Sequence, residues 1–244
     1  MAKGKPGPPS SGDKIIQFID TSKCIGCKAC QVSCKQWHRQ LTESTTFTGS
    51  YTNPPDVSGK TFTRIGFSEA LVNGRFQFLM YKKQCLHCKT CKCASLCPDG
   101  VITTPEGFVL FTEACTPRNV TVKGKKTGNP IDLFIAACPY NIPRYDAESG
   151  RFVKCDFCYD RYETGVVNHT ACAQTCPPVA IVTGPAAEIT ALAQARLAEV
   201  KGTYSNASLL GNGAVIYLLT EGSSSYIDMQ TLDPVVLADD TVAA

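Results

Sequence analysis

Four cysteines within eleven residues, Cys24, Cys27, Cys30 and Cys34, constrain this chain more than any other feature of its sequence. Thiols spaced two residues apart on one loop pair as disulfides only with strain or with distant partners, so the run points to metal. Three of them on a tight loop wrap one face of a cubane whose sulfurs the loop amides can reach, while the fourth, opening the next helix, points the other way. Zinc is the competing reading, since four-cysteine zinc sites also use Cys-x2-Cys pairs. A zinc ribbon joins two such pairs across a loop, whereas three cysteines here share one loop, and the spacing therefore favours iron and sulfide.

The chain has fifteen cysteines in 244 residues, and they recur as an imperfect repeat. Cys85, Cys88, Cys91, Cys93 and Cys97 form a second group, Cys115 and Cys138 stand alone, and Cys155, Cys158, Cys172 and Cys176 form the last. The first run is the one bacterial ferredoxins use, in which the fourth cysteine serves a different cluster from the first three. The last group, ending in Cys176-Pro177, supplies the exchange: Cys24, Cys27 and Cys30 with Cys176 for one [4Fe-4S] cluster, and Cys155, Cys158 and Cys172 with Cys34 for another. Cys85, Cys88 and Cys93 with Cys138 complete a third, because Cys138-Pro139 has the ending of a partner group whose first three cysteines are missing. Cys91, Cys97 and Cys115 are left over and read as free thiols, with an incomplete fourth cluster as the other reading.

Around these groups the sequence predicts short strands at 15–19, 75–81, 100–103 and 180–183. Residues 41–74, rich in Thr, Ser, Asn, Pro and Gly, read as an irregular surface excursion, and 104–134 as a second insertion with an exposed turn at 123–130. An amphipathic helix is expected over 185–200 with Ile189, Leu192, Ala193, Leu197 and Val200 on one face, then a strand at 213–220. Residues 1–12 read as a flexible tail, and 222–244 as an extended tail that lies on a partner or stays mobile. The net charge of +3 is nearly balanced and makes no case for nucleic acid. No run of about 18 apolar residues is present, so no membrane span is expected, and no secretory leader is visible.

The four-group layout over residues 13–185 resembles the ferredoxin-type subunits of the molybdenum/tungsten bis-pterin oxidoreductase superfamily, and its departure at the third group resembles the three-cluster small subunit of formate dehydrogenases. Residues 30–38, 53–56, 137–144, 154–156 and 196–201 carry the likeness, the last beyond any cysteine group. The resemblance implies an α+β fold of two ferredoxin-like [4Fe-4S] modules with long loop insertions and a C-terminal helix-strand extension. Residues 13–45 with 151–184 would form an outer module holding two clusters, 46–80 an insertion, 81–150 an inner module holding one, and 185–244 the extension. It also implies a large molybdenum/tungsten bis-pterin catalytic subunit as partner and a cytochrome or other external redox partner. Such subunits are exported folded beside a twin-arginine partner or stay in the cytoplasm, so either compartment is consistent with the sequence. The rival roles are the same relay for another bis-pterin oxidoreductase and a free polyferredoxin shuttle.

No nucleophile-base pair, phosphate loop or paired carboxylate set stands out, so catalysis is assigned to another subunit. His38, His87 and His169 are expected to hydrogen-bond locally rather than ligate, and Trp37 to pack over a cluster. Lys28, Lys35, Lys89, Lys92 and Lys154 either raise cluster potentials or are solvated surface charges.

Overall fold

The computed structural model describes residues 13–121, 128–166 and 168–235. In chain order these form β1 (Ile15–Asp20), α1 (Ala29–Trp37), β2 (Arg64–Val72), β3 (Arg75–Lys83), α2 (Lys92–Leu96), β4 (Val101–Thr103) and β5 (Val109–Phe111). After these come α3 (Pro130–Ala136), β6 (Arg144–Asp146), β7 (Arg151–Val153), α4 (Tyr159–Glu163) and α5 (Ala171–Gln174). The last elements are β8 (Ile181–Pro185), α6 (Ala186–Val200), β9 (Ser208–Asn212) and β10 (Val215–Leu219). The tail expected at 1–12 and most of the turn expected at 123–130 lie outside the described residues.

All six side chains of β1 are buried, the mark of a strand covered on both faces. It lies inside a four-stranded sheet of order β8-β1-β10-β9, antiparallel to β8 and parallel to β10. The chain thus brings its first strand between two that come from its last third. Helix α6 lies over this sheet through Ile189, Ala193 and Val200, three of the residues the helical spacing selects. Its dock is also ionic: Arg196 Nε donates to Asp20 Oδ2 at 2.8 Å, and Asp20 is 1% exposed at the end of β1, just before the first cysteine loop. Three smaller hairpins surround the sheet, and the fold is mixed α and β.

Part of the region read as irregular is regular. Arg64–Val72 and Arg75–Lys83 form a nine-residue antiparallel ladder joined at Asn73-Gly74, both at positive φ (51° and 74°), the backbone that a two-residue hairpin demands. The hairpin base carries buried charge. Arg64 Nη2 meets Asp228 at 2.6 Å, Lys83 reaches Asp56 at 2.7 Å and Asp228 at 3.1 Å, and Arg144 meets Asp56 at 2.7 Å. The start of the expected extended tail is therefore folded: Tyr226, Met229 and Leu232 are buried in the main core, and Pro234 bridges to Leu210 of β9.

Burial alone would raise the Asp228 carboxyl, but the Arg64 guanidinium and the bonds from Tyr81 and Lys83 outweigh it and hold it below its ordinary 3.8. A carboxyl lowered in the folded state adds stability that is complete above its unfolded value and lost as pH falls through the folded one. Stability should accordingly decline below about pH 4. Asp228→Asn strips the negative charge from two buried cations and should cost about 3 kcal/mol, lowering the melting midpoint by roughly 6–12 °C at pH 7. Thermal unfolding of the wild type and the variant checks this, and an unchanged midpoint would refute it.

Candidate functional site

The cysteine loops repeat one backbone device. In the Cys-x2-Cys segment that opens each of the three groups, the second intervening residue is left-handed: Gly26 at φ 65°, His87 at 48° and Phe157 at 65°. That turn swings the N–H of the residue back toward the first sulfur. The amide of His87 lies 3.5 Å from Cys85 Sγ, that of Phe157 lies 3.4 Å from Cys155 Sγ, and that of Gly26 bonds to Cys24. Further amides reach Cys158 from Ala171 (3.5 Å) and Cys176 from Ala180 (3.3 Å). Amides aimed at sulfur favour the thiolate, the form that binds metal.

The loops close around three cavities. Cys24, Cys27, Cys30 and Cys176 line the first, of about 370 Å³. Cys34, Cys155, Cys158 and Cys172 line the second, of about 290 Å³. Cys85, Cys88, Cys93 and Cys138 line the third and widest, about 1010 Å³ with its open mouth. The second cavity neighbours both others: Lys82 lines it and the first, while Cys155 packs beside Cys85 and Ile142 at the edge of the third.

The third site leans on the sheet. Gly213, in the turn between β9 and β10, has φ 61°, and a Cβ there would stand 2.0 Å from the His87 carbonyl oxygen and 2.6 Å from Cys88 Cα. Backbone cannot yield that much, so only glycine lets the turn meet the second cysteine loop. His87, 1% exposed, ties that loop elsewhere: its Nδ1 accepts from the Val109 N–H at 2.9 Å and its Nε2–H donates to the Cys155 carbonyl at 3.1 Å. Burial, helped by Lys154, pushes its basicity well below the usual 6.5, so the ring is neutral and structural, as expected.

Burial also pushes the thiols up, Cys30, Cys88 and Cys155 to about 12 each. Thiols raised in this way hold their protons unless a strongly positive group arrives to compensate the thiolates. This donor set, with amides already aimed at the sulfurs, fits [4Fe-4S] clusters. The remaining cysteines divide. Cys97 and Cys115 are fully buried in a small apolar core with Val101, Val109 and a stacked Phe134–Phe152 pair at 4.1 Å, whereas Cys91 lines the third cavity as a fifth thiol.

Several other expectations resolve. Lys154, 6% exposed, lines the third cavity and donates to the Cys155 carbonyl at 2.9 Å. Lys28 lines the first and Lys92 the third, but Lys35 turns to the Lys60 carbonyl and Glu43. His38 lies 3.9 Å from Cys158 Sγ and 3.4 Å from Asp156. Trp37 covers none of the three cavities. It is 42% exposed, donates to Asp160 at 3.1 Å and stacks under Arg161. Sequence reasoning passed over Lys82 and Gln17, both buried at cavity walls.

Residues 76–185 match the family described as the 4Fe-4S dicluster domain, and residues 16–36 match a 4Fe-4S binding domain. The formate dehydrogenase subunit beta of Megalodesulfovibrio gigas is 38% identical, over 79% of this chain and 86% of its own length. The chain belongs to the formate dehydrogenase iron-sulfur subunit family. Within that family, the iron-sulfur subunit of the nitrate-inducible formate dehydrogenase of Escherichia coli is 37% identical over 84% of this chain and 68% of its own length. Formate dehydrogenase 2 subunit beta (cytochrome c-553) of Nitratidesulfovibrio vulgaris is 34% identical over 86% and 95%. As a member, the chain is an electron-transfer subunit that binds [4Fe-4S] clusters through ferredoxin-type domains. Among the described residues no helix is long and apolar enough to cross a membrane.

Proposed function

We propose that this chain relays electrons through three [4Fe-4S] clusters between a molybdenum/tungsten bis-pterin formate dehydrogenase catalytic subunit and an external redox partner. The observation that carries the reading is the row of three thiol-lined cavities whose middle member borders both others. Each cluster, when bound, takes up and releases single electrons. The chain's own residues fix the spacing of the sites, aim amides at sulfur and bury the path from water. Cys24, Cys27, Cys30 and Cys176 hold the first site; Cys34, Cys155, Cys158 and Cys172 the second; Cys85, Cys88, Cys93 and Cys138 the third. Residues 13–45 with 151–184 make the outer two-cluster module, 81–150 the inner one-cluster module, 46–80 an insertion and 185–244 the extension.

The names of the three relatives given above, each a formate dehydrogenase subunit, support that catalytic partner, and the cytochrome in one of those names suits a cytochrome as the external partner. Exposed Tyr51, Leu71 and Phe76 at the hairpin supply an apolar surface for docking. The chain shares the compartment of its catalytic subunit, the periplasm where the two are exported folded together.

The test is iron and acid-labile sulfide per chain with low-temperature spin resonance of the reduced complex, for which about twelve of each are expected. Co-purification with a pterin subunit, and elution well above 26.2 kDa, are expected too. A lone chain at that mass would mean a shuttle, and a different pterin partner would mean another oxidoreductase. Gly213→Ala should displace the 86–88 loop and lower iron by about four per chain, leaving the other sites loaded. Full iron in that variant would contradict the role given to the turn.

A further inference from the structure

Lys82 lies on β3, 1% exposed, in the wall between the first and second cavities, and it lines both. As thiolates, Cys30 of the first cavity and Cys172, Cys155 and Cys34 of the second would act most strongly on its ammonium. No carboxylate pairs with it among the described residues, whereas its neighbour Lys83 has Asp56 and Asp228. Its polar contact is Gln84 Oε1. That oxygen is turned to the lysine because the Gln84 amide nitrogen is engaged, donating to Gln17 Oε1 at 2.7 Å, and Gln17 in turn donates to Thr170 and Thr183 at 3.0 Å each. The strand is pinned as well, with the Tyr217 hydroxyl donating to the Lys82 carbonyl at 2.8 Å.

A buried ammonium with no carboxylate partner persists only where other negative charge offsets its desolvation. Thiolate-bound iron-sulfur clusters on either side provide it. We propose that Lys82 is a charge-setting residue shared by the first and second sites, raising the reduction potentials of both while leaving the third untouched. A fixed positive charge in a dry wall stabilises the more negative, reduced form of each neighbour. The third site is excluded because Lys82 does not line it; Lys154 occupies the corresponding place there. The inference rests on the three-site reading above, which the wild-type iron count and three reduction waves test separately.

The experiment is potentiometric spin resonance of the cluster-loaded complex with its catalytic subunit, comparing wild type, Lys82→Met and Lys82→Arg. In Lys82→Met two of the three waves should move to lower potential, each by about tenfold in the reduction equilibrium, or about 59 mV for one electron. The third wave should stay in place. In Lys82→Arg, which keeps the charge, all three should lie close to wild type. Unmoved waves in the loaded Lys82→Met complex, equal shifts of all three, or an equal fall in Lys82→Arg would overturn the proposal. Should Lys82→Met lose iron, retention by Lys82→Arg supports a requirement for charge, and loss from both overturns it.

Discussion

Cys138→Ala is expected to carry about eight iron atoms per chain where the wild type carries about twelve, with one spin-resonance signal missing and the other two unchanged. Cys138 follows α3, a seven-residue helix that begins with Pro130 and is capped by Asn129, whose Oδ1 accepts from the Ile131 N–H at 3.0 Å. That start fixes where the helix ends, and so where the thiol stands. The amides of Tyr140, Asn141 and Ile142 converge on its sulfur, partly offsetting the burial that pushes it up. Alanine leaves these amides without an acceptor and the third site one donor short. Cys91 shares the cavity, and the comparison is therefore made with Cys91→Ala, which should keep about twelve iron atoms. Full iron in Cys138→Ala, lost only when Cys91 is also replaced, would make Cys91 the ligand and refute the inner pairing.

Removing the iron should have a larger structural effect, and an uneven one. Helices α2, α4 and α5 have five, five and four residues, far below the length at which a helix stands by itself. The loops that carry them hold several residues at positive φ and are organised around the cavities. Metal-binding free energy is folding free energy in such segments. By contrast, β10 is buried throughout and lies beside β1 under α6, with Val215, Tyr217, Leu218 and Leu219 fully covered. After anaerobic chelation, amide exchange should become fast in residues 85–97 and 155–176 while protection persists in β1 and β10. Equal protection before and after chelation in the cysteine loops would show that the fold does not depend on its cofactors.

The cysteine pattern made the lining of the three cavities readable because thiol spacing is a local property that the chain writes directly, as Cys24, Cys27 and Cys30 illustrate. Helix α6 was legible for a similar reason: Ile189, Ala193 and Val200 repeat at the helical period. Strand β3 shows in the run at 75–81, but its partner β2 does not although Asn73-Gly74 announces the turn between them, since the polar residues before Arg64 mask the short alternation after it. Strand β9 went unread for want of length and branched residues. Residues 222–235 look like a solvated tail because their charge is balanced only in space, Asp228 against Arg64 and Lys83 from the two strands of a hairpin some 150 residues earlier. Lys82 was invisible on the same grounds: a Lys-Lys pair reads as surface, and only the folded chain discloses that one of the two points inward and the other to a carboxylate pair.

The neighbours of β1 have one further consequence. Its hydrogen-bonding edges are filled by residues 181–185 and 215–219, and the sulfur that completes the first cavity comes from position 176. A ribosome releasing this polypeptide exposes the amino-terminal strand long before either edge partner has been translated. The first site is therefore complete only once residue 176 has emerged, and until β8 and β10 follow, β1 is an unpaired strand whose Ile15, Ile16, Phe18 and Ile19 lack the cover they have in the folded chain.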